Sequence, residues 1–117
     1  MANAVEKAVD CYVRAFSERD PVARAKLIEA CFAVDGRIVT RSRTIRGRDG
    51  LEQEIVAFQA DPQWKQIRLG AIDAAGTTFR FHGFADRHDG TSAHAFDAGE
   101  IDADGRISLI LTFPGPL

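Results

Sequence analysis

Asp97 is the residue of this chain whose surroundings point most directly to chemistry. Side chains alternate across a strand, so over a run at about 91–101 the residues Ala93, Ala95, Asp97, Gly99 and Ile101 share one face, opposite His94, Phe96, Ala98 and Glu100. If the small, apolar set points inward, Asp97 places a carboxyl on an otherwise apolar surface, where desolvation penalises the charge, raises the pKa and favours the protonated acid. Two plainer readings stand beside that one: an Asp exposed because the inner face is the other one, or a buried Asp bonded only to backbone. Tyr12 comes second. Val5, Val9, Tyr12 and Phe16 recur at helical spacing, which puts a phenol on a buried stripe where its hydroxyl needs a partner. Trp64 also joins an apolar body to a polar handle, and side chains of both types more often serve core packing than ligand contact.

Other chemistries find little support. His82 falls on a polar strand face, His94 lies opposite Asp97 and His88 sits in a turn, so no cluster with metal-ligand spacing forms; neither a metal nor a cofactor is expected. Asp102-Ala-Asp104-Gly105 lacks the other positions and the terminal Glu of a calcium loop and reads as a hairpin turn. No nucleophile elbow, phosphate-binding glycine loop or dinucleotide fingerprint is present. Cys11 and Cys31 have neither the number nor the spacing of a disulfide framework or redox pair, and are expected to pack as core-facing helix residues. Five arginines fall between Arg37 and Arg48, yet the formal net charge of -2 argues against a nucleic-acid partner. Solvated hairpin charge, balanced by Asp35 and Asp49, is the expectation, with Arg41 or Arg43 within reach of an anionic ligand at a pocket rim.

The elements that must position Tyr12 and Asp97 follow from periodicity. At 117 residues, 45% hydrophobic and 27% charged, the chain suits one globular domain over 1–117. No apolar run approaches a membrane span and MANAVEKAVD lacks a signal-peptide core, so a cytoplasmic protein without membrane partners is expected. A first helix should run from about residue 3 to 18. A second starts at the Asp20 cap with Pro21 in its first position, and Val22, Ala25, Ile28, Cys31 and Phe32 supply its apolar face. Short β runs at 37–40 and 44–46 flank a polar tip. Asp49-Gly-Leu-Glu52 has capping-box spacing and opens a third helix with the stripe Leu51, Ile55, Phe58, stopping near Asp61-Pro62. An antiparallel meander follows, with strands near 64–72, 77–86, 91–101 and 106–113 and turns at DAAG, HDG and DADG. On its second strand Thr77, Phe79, Phe81, Gly83 and Ala85 form the inner face. Helices first and strands last make an α+β domain, with helices covering one face of a curved sheet.

The order of elements resembles the nuclear transport factor 2-like superfamily, which includes ketosteroid isomerases and the SnoaL-like polyketide cyclases. The residues that carry the resemblance are Tyr12-Val-Arg-Ala-Phe16 before Asp20-Pro21, Phe32-Ala-Val-Asp35-Gly36, Arg46-Gly-Arg-Asp-Gly-Leu51, the stretch Asp97 to Ile107, and Thr112-Phe-Pro-Gly-Pro116. It covers essentially the whole chain and is strongest for SnoaL-like proteins. It implies a cone-shaped, strongly curved antiparallel sheet with three helices of the N-terminal half on its concave face. It also implies roles: Tyr12 and Asp97 fall at the tyrosine and protonated aspartate of the isomerase oxyanion hole. The position of the carboxylate base falls near Thr40, which carries no carboxylate, and a hydroxyl is too weak a base for a carbon acid. Ketosteroid isomerase activity is therefore not expected.

Two readings of function follow. In one, the cone holds a small apolar or aromatic molecule with a carbonyl or phenolic oxygen, hydrogen-bonded by Tyr12 and Asp97 and contacted by Phe16, Thr40, Trp64, Phe79 and Phe81. Its enzymatic version is an isomerase, cyclase or dehydratase in which the pair stabilises an enolate and Asp35 or a group of the substrate acts as base. In the other, the domain is a non-catalytic dimeric interaction module. Ile107, Leu109, Leu111 and Phe113 share one strand face and Ile110 adds an apolar residue to the other, which predicts a homodimer through the sheet.

Overall fold

The computed structural model describes residues 3–115. Helix α1 (Ala4–Ser17) begins at Asn3, whose side chain accepts the Glu6 N–H at 2.8 Å, and buries Val5, Ala8, Val9, Tyr12 and Ala15. Helix α2 (Pro21–Cys31) begins as expected, with Asp20 accepting from the Ala23 N–H at 3.0 Å. Its buried stripe, however, is Arg24, Ile28 and Cys31, while Val22 is 65% exposed, Ala25 faces solvent and Phe32 already belongs to the next strand. An arginine can replace the expected apolar residues because every face of its fork is used. Arg24 donates to both carboxylate oxygens of Glu52 at 2.8 and 2.7 Å, to the Glu18 carbonyl at 2.9 Å and to Gln59 at 3.2 Å. That clamp ties α2 to helix α3 (Gly47–Ala60).

The same clamp explains a second departure. Helix α3 starts two residues before the expected Asp49 cap; Arg46 is its N-cap residue with no side-chain bond, and Gly47, at φ 71°, makes the entry. Glu52 thus serves Arg24 rather than a capping box. Leu51 and Ile55 are fully buried beneath it.

Seven strands follow or interleave: β1 (Phe32–Val39), β2 (Thr44–Arg46), β3 (Trp64–Leu69), β4 (Asp73–Ala75), β5 (Thr78–Arg87), β6 (Ser92–Ile101) and β7 (Ile107–Pro114). They form one curved sheet in the order β2-β1-β7-β6-β5-β3, with β4 on β5. The expected α+β class holds. All pairings are antiparallel except one: β1 runs parallel to β7, because the chain passes through α3 and the whole meander before returning to β1. Strand β1 starts directly after α2, five residues earlier than its branched run suggests. Asp73-Ala-Ala75 is strand β4 rather than a turn, and the reversal falls at Gly76.

Strand β7 holds the most consequential surprise. The core takes Ile107 and Ile110, three residues apart, because Glu100 pairs with Leu109 whereas Ile101 pairs with Ile107, leaving Ser108 as an extra residue. The bulge flips every later side chain. Leu109, Leu111 and Phe113 therefore leave the face they were expected to share with Ile107 and point outward, while Thr112 turns inward opposite Asp97. Gly99 makes the neighbouring bend possible: a Cβ there would lie 2.2 Å from the Leu109 carbonyl and 2.6 Å from the Phe79 ring.

Both cysteines are free and pack between α1 and α2, as expected. Cys11 Sγ donates to the Leu27 carbonyl at 3.2 Å, and burial pushes the Cys31 thiol well up.

Candidate ligand cavity

A cavity of about 150 Å³ lies between α1 and the inner face of β3, β5 and β6. Its origin is a change in side-chain size along the β5–β6 pair. Phe79 and Phe81 stack at 6.0 Å and fill the narrow part of the core. Beyond them, Gly83 pairs with Ala95 and Ala85 with Ala93, so two successive cross-strand pairs have almost no side chain to offer. Space is left where Tyr12, Val13 and Phe16 of α1 and Ile67 and Leu69 of β3 come over the sheet.

Asp97 sits at the boundary, paired with Phe81 on one side and Thr112 on the other. It is on the inner face and only 8% exposed. Its Oδ1 has no hydrogen-bond partner among the described residues. Burial raises its pKa to about 6, with Thr112 pulling weakly the other way. Tyr12, also on the wall, has its phenol pushed well above its ordinary value, first by burial and then by the neighbouring Asp97 charge. At neutral pH the cavity wall therefore includes one buried acceptor residue, the carboxylate of Asp97, and one donor residue that does not ionise, the phenol of Tyr12.

The other expected site residues divide. Phe16 and Phe81 line the cavity; Phe79 does not, lying behind Phe81 in the core. Trp64 is outside it, stacked on Phe58 at 5.7 Å with the Arg87 guanidinium 4.8 Å above its ring. Thr40 is not a cavity residue either. Its hydroxyl donates to the Arg43 carbonyl at 3.0 Å and accepts the Arg43 N–H at 3.1 Å, closing the β1–β2 turn. Asp35 is exposed on β1. His82 and His94 stand on the outer face, edge-on to Phe96 and Phe84 at 5.2 and 4.9 Å. No group of three His, Cys, Asp or Glu able to hold a metal occurs among the described residues.

The arginine-rich hairpin resolves into structure. Arg43 pairs with Glu54, and Arg48 donates to the carbonyls of Phe32 and Glu29 at 2.9 and 3.3 Å, closing the α2–β1 junction. Arg41 is exposed. Asp102 accepts the N–H groups of Asp104 and Arg106 at 2.9 and 3.1 Å, the hairpin turn its sequence suggests. Sequence reasoning missed Val13, Ile67 and Leu69 on the cavity wall and Thr112 beside Asp97. The facing small pairs were legible in the alternation; Thr112 was not, because the Ser108 bulge sets its direction.

No protein-family model and no curated protein matches the sequence. Solved structures do match. An isomerase candidate of the SnoaL-like family from Agrobacterium tumefaciens str. C58 is 25% identical, with 97% of this chain and 98% of that chain covered and a TM-score of 0.83. A polyketide cyclase candidate from Sinorhizobium meliloti is 17% identical over 90% and 92% of the two chains, with a TM-score of 0.71. A de novo designed protein with a curved β-sheet, 16% identical, covers 99% of this chain and 89% of its own at a TM-score of 0.76. Its shape is evidence for the fold alone. No helix among the described residues is long and apolar enough to cross a membrane.

Proposed function

We propose that this chain, of the nuclear transport factor 2-like superfamily with SnoaL-like structural neighbours, binds a small, mainly apolar molecule through Tyr12 and Asp97. The observation that carries the reading is that Asp97, a residue of the wall of an otherwise apolar cavity, holds a buried carboxylate with one oxygen unpartnered among the described residues. Leaving a buried acceptor bare costs about 1–3 kcal/mol, and a ligand hydroxyl would recover it. A carbonyl or phenolic oxygen on the same molecule would meet the Tyr12 hydroxyl. The aromatic and aliphatic walls supply contact area and the two oxygens supply orientation.

An enzymatic version has one specific observation in its favour. Among the described residues, the cavity wall's one titratable residue besides Tyr12 and Asp97 is His94, whose ring packs on Phe84 at the outer face. The acid near pH 6 is thus Asp97 itself, in a range suited to proton abstraction. In an isomerase or cyclase step its Oδ1 would take a proton from a ligand carbon, the C–H electron pair would move into the adjoining carbonyl, and Tyr12 would hold the enolate oxygen. The isomerase candidate among the structural neighbours agrees with that class of reaction. The interaction-module reading rests on Leu109, Leu111 and Phe113, the last 48% exposed, which the Ser108 bulge turns outward to form an apolar strip for a second copy of the chain.

Thermal-shift screening of phenols and small cyclic ketones, repeated with Tyr12→Phe and Asp97→Asn, tests the binding reading. Stabilisation by such ligands that both substitutions reduce is the expected result. Ligands that stabilise all three proteins equally would place binding elsewhere.

A further inference from the structure

Val13, Phe16 and Ile67 line two spaces at once. One is the cavity of about 150 Å³ that holds Asp97, and the other, of about 240 Å³, lies on the far side toward Arg19, Phe58, Trp64 and Lys65. Of the three shared residues Phe16 is the largest, and its ring is set between neighbours in a run of aromatic side chains. It meets Tyr12 edge-on at 5.4 Å and Phe58 edge-on at 5.7 Å, and Phe58 in turn stacks on Trp64. The backbone beneath it is held as well, since Gln59 donates to the Phe16 carbonyl at 3.0 Å.

We infer that the Phe16 ring is the partition between these spaces and sets the size of what reaches Asp97: a single six-membered ring bearing a hydroxyl group, not a fused pair of rings. The inference rests on the binding reading above and adds to it a size limit and the residue that imposes it. A space near 150 Å³ is about what one benzene-sized molecule occupies, whereas sites for larger organic ligands begin at roughly 300 Å³. The hydroxyl answers the Asp97 carboxylate on the cavity wall, a buried acceptor short of a donor. The second ring of a fused ligand entering against Asp97 would need the volume that Phe16 fills. With that ring removed, the two spaces become continuous and together exceed the lower bound for a larger ligand. Phe16 is then a specificity-determining residue, and the outer space, with Arg19 and Lys65 among its lining residues, is where a longer ligand would extend in its absence.

The test is titration calorimetry at pH 7.5 with phenol and 2-naphthol, on the wild-type chain, Phe16→Ala and the milder Phe16→Leu, with Asp97→Asn as reference. The wild type should bind phenol at least about tenfold more tightly than 2-naphthol, the discrimination a filled apolar wall typically achieves. Phe16→Ala should reverse that order and Phe16→Leu should narrow it, so a folding defect in the alanine variant still leaves a readout. Equal affinity of the wild type for both ligands, or an unchanged ratio in both Phe16 variants, would overturn the partition while leaving Asp97 as the binding group. Loss of phenol binding in Asp97→Asn separates those outcomes from failure of the binding reading. If neither ligand binds the wild type, both are wrong.

Discussion

Replacing Asp97 by Asn should make the protein more stable at neutral pH and leave it nearly unchanged near pH 4. The carboxyl is 8% exposed, and its pKa moves from an ordinary 3.8 to about 6 on folding. A group whose folded value lies above its unfolded one binds its proton more tightly in the native state. Its contribution is fully present below pH 4 and is lost as pH rises through 6. At about 1.4 kcal/mol per pH unit of displacement, the ionised native state is about 3 kcal/mol worse off than the protonated one. Other perturbed carboxyls act alike in both proteins. Asp86 is held low by Arg68, Ser92 and Gln66, and Glu52 by Arg24; their stability is lost as pH falls below the ordinary values of 3.8 and 4.5 and cancels in the comparison. Between pH 4 and 6 the difference between wild type and Asp97→Asn therefore isolates Asp97. Differential scanning calorimetry should show the two melting together near pH 4 and separating by about 10 °C at pH 7.5, the variant higher. Parallel pH profiles over that range would refute the buried-acid argument.

Three further predictions concern the scaffold. Glu52→Gln leaves the buried Arg24 guanidinium without its carboxylate; because Glu52 is 35% exposed, the expected loss is about 1–2 kcal/mol in urea unfolding, and an unchanged midpoint would mean the clamp is inert. Gly99→Ala forces a Cβ against the Leu109 carbonyl and the Phe79 ring and should cost about 1–3 kcal/mol by the same measurement, whereas a neutral effect would show that β6 can shift freely there. The outward strip of Leu109, Leu111 and Phe113 predicts a dimer at micromolar concentration in sedimentation equilibrium and a monomer for Leu111→Glu; a monomeric wild type would remove the dimer.

How far the sequence could be read depended on whether local rules were left alone by tertiary structure. Asp20 capping, the α1 stripe, and the inner placement of Phe81 and Asp97 all follow from spacing and alternation, and each survives in the structure. The failures have a common form: one long-range contact overrode a local signal. Arg24 is buried because Glu52, 28 residues away, meets it, which both displaced the expected α2 face and took the Glu from its capping box. Ser108 is an unremarkable polar residue whose role as a bulge depends on how β7 registers against β6, and it decides the direction of Thr112 and of the outward strip. Thr40 was placed at the site by family resemblance. Its position beyond the end of β1 gives its hydroxyl a nearer use in closing the hairpin.

The proposed binding requires Asp97 to be a buried acid that meets a ligand. Carbon-detected NMR of the Asp97 carboxyl, titrated from pH 3 to 9 without ligand and again with saturating phenol, addresses that directly. The predicted result is a midpoint near 6 in the free protein, and in the complex a displaced carboxyl resonance and a lower midpoint, since a donated hydrogen bond favours the carboxylate. A free midpoint near 4, with no response to phenol, would contradict it.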